Sequence, residues 1–236
     1  MKRQFIIKSI FSICMVAVTS FGASAQQSKN VSVAGFDEVA VSSGIDLYIT
    51  QGNTESAKVT APEEIMDKVV LEKNGNILSV RFKDNFSLSR LMSNQSIKVY
   101  LNVKTLHGVT ASGGSDVYSQ NTIKTDRLKI KSSGGADIKL TINTTDLQIE
   151  TSGGSDVELK GSAVNMTASS SGGSDIDAFE LVTQYAKVSA SGGSDAHVNV
   201  SKALEASASG GADLRYKGNA SLKKTSSSKS GSVKRA

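Results

Sequence analysis

Six carboxylates recur at nearly constant spacing in the second half of the sequence, each closing a Ser-Gly-Gly-Ser-Asp or Ser-Gly-Gly-Ala-Asp pentapeptide. The aspartates are Asp116, Asp137, Asp156, Asp175, Asp195 and Asp213, and consecutive members lie 18 to 21 residues apart. A file of carboxylates could hold cations, because Ca²⁺ prefers oxygen ligands. It could equally accept hydrogen bonds from backbone N–H groups that a tight corner leaves unpaired.

The spacing favours the structural interpretation of these aspartates, and cation binding remains the alternative. Calcium takes about six to eight oxygen ligands, whereas each unit contributes a single repeated carboxylate. The calcium-binding repeats of toxin type recur about every nine residues, which is roughly half of the spacing in this chain. We therefore predict no metal site and no cofactor.

Each pentapeptide also carries two consecutive glycines, which suit a sharp backbone corner. Glycine adopts positive φ without the steric penalty that a Cβ brings. The predicted corner glycines are Gly113, Gly114, Gly134, Gly135, Gly153, Gly154, Gly172, Gly173, Gly192, Gly193, Gly210 and Gly211. Valine at Gly153 or Gly154 is expected to destabilise the fold, whereas valine at Gly231, near the C-terminus, is expected to have no effect.

Other residue columns align when the six units are superposed on their aspartates, which indicates a repeat architecture. The position after each Asp is apolar in every unit, as is the position seven residues before it. A period of about 20 residues is typical of a solenoid in which each unit is one coil stacked on the last. The sequence therefore predicts an all-β fold: a parallel β-solenoid, or β-helix, of about 19–20-residue coils over residues 105–217.

Residues 26–104 form the preceding β region of the same predicted domain. Alternating apolar positions predict antiparallel strands here, with a hairpin at Asn74-Gly75, since Asn-Gly favours the positive φ of tight turns. Pro62 is expected to open one helical turn, and residues 84–96 are expected to form a loop. Ser43-Gly44-Ile45-Asp46 resembles a later pentapeptide with one glycine missing, which suggests a diverged piece of the same architecture.

The first 25 residues have the layout of a secretory signal peptide. Lys2, Arg3 and Lys8 precede a short apolar run, and small residues lead to a predicted cleavage between Ala25 and Gln26. The apolar run is short for a membrane span, so the mature chain is expected to lack a transmembrane segment. Export then ends in the periplasm, at the cell surface or outside the cell. The chain's single cysteine, Cys14, is removed with this segment.

The C-terminal residues 218–236 are rich in serine and lysine, and we expect a basic disordered tail there. Without the predicted signal peptide, 24 basic residues remain against 22 acidic ones. A charge so close to balance does not favour a nucleic-acid partner. The oligomeric state is left open.

Few residues outside the corners have a type or spacing that suggests catalysis. His107 occupies a predicted core column of the first coil, where a junction role is expected, and His197 is expected at the surface. An enzyme would need acids clustered in a cleft, whereas the remaining acids are scattered along predicted outward faces. These solvated candidates are Glu150, Glu158, Asp177 and Glu180. We therefore predict that the protein is not an enzyme.

Several stretches together resemble a known family. These are the signal peptide, "FDEVAVSSGIDLYITQG" over residues 36–52, "GNILSV" over residues 75–80 and the serial Ser-Gly-Gly-Ser-Asp corners. The chain from about Val33 to Lys217 resembles the putative auto-transporter adhesin, head GIN domain family of Bacteroidetes-type bacteria. The resemblance implies a β-solenoid at the cell envelope, an adhesive role and no catalytic residues.

Two functional hypotheses follow from these observations. The first is an exported, non-enzymatic cell-envelope protein, an adhesin or surface scaffold whose ligand would be a glycan or a host or matrix protein. The alternative is a β-helix protein that acts on polysaccharides or binds glycans or lipids.

Overall fold

The computed structural model describes residues 26–83, 97–227 and 230–236, with side chains given throughout except at 224–227. The predicted signal peptide, including Ala25 on one side of its cleavage point, and the predicted 84–96 loop lie outside these residues. Within them the chain is almost entirely β-structure. No helix in this part of the chain is long and apolar enough to cross a membrane.

The described strands follow one another with short connections. The first part contains β1 (Gln26–Val31), β2 (Glu38–Val41), β3 (Ile45–Gln51), β4 (Ser56–Pro62), α1 (Glu63–Met66), β5 (Val69–Asn74), β6 (Ile77–Phe82) and β7 (Ile97–Val103). The repeat region contains β8 (Gly108–Ser112), β9 (Asp116–Ser119), β10 (Ile123–Gly134), β11 (Asp137–Gly153), β12 (Asp156–Gly172), β13 (Asp175–Gly192), β14 (Asp195–Ala208) and β15 (Asp213–Lys217). The chain ends with β16 (Ser221–Ser227) and β17 (Ser232–Arg235).

The predicted parallel β-solenoid is confirmed in the repeat region. Strands β10 to β14 pair in parallel with their successors, and equivalent residues of successive coils lie opposite one another. Asp137 pairs with Asp116 on one side and with Asp156 on the other. Asp156 in turn pairs with Asp175. The aspartates therefore form one file along the stack, as the column alignment predicts.

Alternating inward side chains build the core of each coil. Ile138, Leu140, Ile142 and Ile149 are buried to within 2% in one representative coil. Each fully buried aliphatic side chain contributes about 1.5–3 kcal/mol, and the parallel neighbours above and below complete its enclosure. Stacking is therefore necessary for stability, because a single coil would leave these faces exposed to water.

The N-terminal region departs from the predicted antiparallel arrangement. Strand β2 pairs in parallel with β6 and β8, and β3 pairs in parallel with β7 and β9. Ser43 and Gly44 both have positive φ, 71° and 72°, so they make a corner like those of the repeats. Antiparallel pairing is limited to β1–β4, β4–β7 and the predicted hairpin β5–β6. The coil stack therefore begins well before residue 105.

The prediction of a disordered C-terminal tail is wrong for the described residues. Strand β16 pairs in parallel with β14, and β17 pairs in parallel with β15, so the tail forms a further coil. Composition misleads here because the exposed backbone edge of the preceding coil supplies hydrogen bonds, and a few apolar residues such as Val233 pack on the core. The predicted tolerance of Gly231 is also wrong, since a Cβ there would lie 2.5 Å from the carbonyl oxygen of Ala208.

Candidate functional site

The first glycine of each predicted pair makes the corner. Its φ is positive in all six repeats, with values from 62° to 82°. The second glycine has positive φ at Gly114 and Gly211 alone, near the two ends of the repeat array. The prediction that both glycines are conformationally required therefore applies in full to the end corners, and in the four central corners it applies to the first glycine.

A buried serine, and not the aspartate, closes the central corners. Ser174 is fully buried, and its Oγ donates to the carbonyl oxygen of Ser171 at 3.0 Å and accepts from the N–H of Ser171 at 3.2 Å. Ser194 makes the same two bonds with Ser191. The hydroxyls satisfy backbone groups that the bend takes out of the strand ladder.

The aspartates point outward and are stabilised unevenly. The Oδ1 atom of Asp175 accepts from the backbone N–H of Asp195 at 3.0 Å, as the structural interpretation predicts. Asp116 accepts instead from the Tyr118 hydroxyl at 3.2 Å. Within the described part of the chain, no group of three or more His, Cys, Asp or Glu side chains is arranged to hold a metal ion.

Repulsion along the file opposes ionisation of its inner members. Burial, followed by the charges of Asp116 and Asp156, raises the pKa of Asp137. Burial, followed by the charge of Asp116, also raises the pKa of Asp46, which extends the file into the N-terminal coil. Burial and the adjacent Asp116 charge raise the pKa of Tyr118 to about 12.

Replacing Asp137 with Asn should raise the melting temperature at pH 7. Because the folded-state pKa of Asp137 is raised, its charge costs stability above that pKa, and the cost is relieved as pH falls through it. An asparagine oxygen can still accept the hydrogen bond from the backbone N–H of Asp156. The gain should stay below about 1 kcal/mol for this partly exposed group and vanish in melts below pH 3.8. A lower melting temperature at pH 7 would show that the carboxylate stabilises its corner.

Two carboxylates flank the imidazole of His107. Its Nδ1 lies 3.0 Å from Oδ2 of Asp37, and its Nε2 lies 3.2 Å from Oδ1 of Asp126. Burial opposes ionisation of Asp37, but hydrogen bonds from Asn76 and His107 outweigh it and lower the pKa of Asp37. The prediction that His107 fills a core column is wrong, because Leu106 is the fully buried residue there.

His107 lies at one end of a groove that runs along the solenoid. A cavity of about 610 Å³ extends from Asp37 to Asn165 and Thr167, and a second cavity of about 500 Å³ continues from those two residues to Lys223. Register pairing aligns the outward side chains along it in two columns. The first column is Arg127, Asp146, Asn165, Tyr185, Ala203 and Ser221; the second includes Lys129, Gln148, Thr167, Lys187 and Glu205. We call this continuous depression the axial groove.

The charges of the axial groove balance. Apart from His107, the acidic residues lining it are Asp37, Glu38, Asp146 and Glu205, and the basic residues are Arg127, Lys129, Lys187 and Lys223. Sequence reasoning does not detect this surface, because its columns mix residue types that share no motif. The signal lies in the register, which the repeat spacing specifies for each column.

The other outward faces carry aromatic stacks and ion pairs. Tyr48 stacks between Tyr100 and Tyr118, with ring centroids 5.1 and 5.3 Å apart, and His197 stacks on Phe179 at 4.8 Å. The predicted solvated acids form ion pairs between coils, or with neighbours along the same strand. Glu150 pairs with Lys131, and Glu158 and Glu180 both pair with Lys160; Asp177 accepts from the N–H of Phe179.

Comparison with known proteins is consistent with this architecture. Residues 35–220 match the family described as "Putative auto-transporter adhesin, head GIN domain". No curated protein matches the chain at a significant level.

Solved structures share the fold at low sequence identity. A putative adhesin from Bacteroides fragilis has a TM-score of 0.80 and 22% identity, covering 90% of this chain and 97% of its own. A putative adhesin from Parabacteroides merdae has a TM-score of 0.70 and 21% identity, covering 91% and 98%. A putative lipid binding protein from Parabacteroides distasonis has a TM-score of 0.72 and 19% identity, covering 91% and 98%.

Proposed function

Since this chain belongs to the putative auto-transporter adhesin, head GIN domain family, we propose that it is an exported, non-enzymatic protein that presents its solenoid as an adhesive surface. The signal-peptide layout of residues 1–25 supports export. The family and the Bacteroidetes sources of the similar structures support a surface ligand.

The uninterrupted axial groove carries this proposal. Its lining residues come from successive coils in register, so the stack presents one extended open surface and not a closed pocket around a reacting atom. Cross-coil ion pairs such as Lys187–Glu205, 3.4 Å apart, hold the outward side chains in place. A rigid surface of this kind suits adhesion, because little side-chain entropy is lost when a ligand binds to it.

An enzyme that acts on polysaccharides is the second candidate, and the environment of His107 favours it. An imidazole between two carboxylates at one end of a groove could move a proton. Overnight incubation with plant and microbial polysaccharides, followed by a reducing-end assay, separates the two candidates. The adhesin proposal predicts no new reducing ends, and their appearance in the native chain but not in His107→Ala would favour the enzyme.

Adhesion itself is tested with beads that carry residues 26–236. We expect them to be retained on immobilised glycans or extracellular-matrix proteins, relative to albumin-coated beads. A protease-accessibility assay on intact cells should show that the protein is cleaved from outside. Beads retained no better than the albumin control, together with full protection from protease, would contradict the proposal.

A further inference from the structure

We propose that the axial groove binds an extended, uncharged polysaccharide chain, with the ring of Tyr185 as its stacking platform. This inference rests on the proposed adhesive function and specifies its ligand.

The shape of the groove fits a polymer. Eight neighbouring strands contribute to it, from β2 at the His107 end to β16 at the other. At a strand spacing of about 4.8 Å, it extends over roughly 34 Å. Asn165 and Thr167 line both cavities, so the floor is continuous across the middle of the stack. A small metabolite would occupy a fraction of this length, whereas a chain of sugars would contact every coil.

The side chains along the groove offer both donors and acceptors, which hydroxyl groups require. The Nδ2 of Asn165 donates to Asp146 at 2.8 Å, which fixes the amide and leaves its oxygen available as an acceptor. The guanidinium of Arg127 has no hydrogen-bond partner among the described residues, so its five donors are available. Such groups can bind sugar hydroxyls, each of which donates one hydrogen bond and accepts others.

Tyr185 supplies the apolar contact that polar side chains lack. Its side chain is unusually accessible for a large aromatic residue, with 45% of the residue exposed. Lys202 Nζ lies 5.3 Å from its ring centroid, which helps to hold the ring in place. Aromatic rings bind amphipathic partners well because they combine a large apolar face with a polar tip, and the C–H face of a pyranose is such a partner.

The chemistry of the groove disfavours the other linear polymers. A polyanion would meet as many acidic as basic side chains along it. An extended peptide is usually captured by main-chain hydrogen bonds at a free sheet edge. The backbones of β11, β12 and β13 are paired on both sides beneath the groove, so they have no free edge to offer.

The test measures binding of residues 26–236 to soluble mannan, xylan and β-glucan, with heparin as the polyanion and gelatin as the extended polypeptide. Affinity electrophoresis, followed by calorimetry on any polymer that binds, gives dissociation constants. The variants are Tyr185→Ala, Tyr185→Phe and the matched control Tyr100→Ala. Tyr100 is a comparably exposed tyrosine, at 41%, that lies away from the groove. Thermal melts establish that each variant is folded.

We expect at least one uncharged polysaccharide to bind, with a dissociation constant that rises tenfold or more in Tyr185→Ala. Tyr185→Phe and Tyr100→Ala should stay within about twofold of the native chain, because both keep the stacking ring in the groove. Binding of heparin or gelatin alone would overturn the assignment, as would binding that Tyr185→Ala leaves unchanged. If Tyr185→Ala beads still adhere to matrix proteins, the adhesive function survives and the groove assignment fails; if native beads adhere to nothing, the adhesive function fails.

Discussion

Replacing Gly161 with alanine should destabilise the protein more than any other single-methyl change considered for this chain. Gly161 has a φ of 109°, and an added Cβ would lie 2.1 Å from the carbonyl oxygen of Ile142 in the coil below. The unfavourable φ costs about 1–3 kcal/mol, and displacing the packed backbone adds about 1–3 kcal/mol. Urea unfolding should therefore show a loss of roughly 2–6 kcal/mol, a large part of the stability of a typical domain.

Gly52→Ala is the matched control. Gly52 does not have positive φ, and no heavy atom lies within 4 Å of an added Cβ. Its unfolding midpoint should stay close to that of the native chain. Equal midpoints for Gly161→Ala and Gly52→Ala would mean that the coils are not packed in the register described above.

The second large effect separates the two glycines of one corner. Gly192 has a φ of 77°, and an added Cβ would lie 2.9 Å from the carbonyl oxygen of Gly172. Gly193 does not have positive φ, and its added Cβ would be in ordinary contact, 3.7 Å from the same oxygen. Gly192→Ala should cost about 2–5 kcal/mol by the combination of backbone strain and close contact. Gly193→Ala should cost less than about 1 kcal/mol.

Thermal and urea melts of the two variants, run side by side, decide this prediction. The comparison is informative because both changes add one methyl group to neighbouring residues of the same corner. If Gly193→Ala were as destabilising as Gly192→Ala, the second glycine would be required by something other than its backbone conformation.

The sequence predicts the repeat region well because each coil repeats the same local requirements. Ile138, Val157 and Ile176 share a column and are all buried to within 1%. A one-residue change of register would turn each of these side chains outward. The columns therefore fix the parallel pairing without further information.

The flanking regions are harder to predict because their strands are ordinary as text. Strand β2 alternates like an antiparallel strand, and its parallel partners β6 and β8 are set by the coil that it joins. The short echo at Ser43-Gly44 is the sequence feature that identifies this coil. At the other end, a composition rich in serine and lysine hides a coil that depends on pairing with β14 and β15.

The axial groove is not predictable from motifs, since Arg127, Asp146, Asn165 and Tyr185 share no residue type. They come together because the 18- to 21-residue period places them opposite one another. His107 shows the limit of column counting. A one-residue offset puts Leu106 in the core and leaves the imidazole outside, beside Asp37.

A calcium-dependent melt tests the central claim that the repeated pentapeptide is a stacking corner and that binding takes place elsewhere on the coils. A ligand present at 100 times its dissociation constant stabilises the native state by about 2.7 kcal/mol per site, so several sites in the aspartate file would be unmistakable. The measurement compares the melting temperature of residues 26–236 in millimolar calcium with that in chelator. We predict the same melting temperature in both; a large increase in calcium that disappears when Asp156 and Asp175 are both changed to Asn would contradict the account.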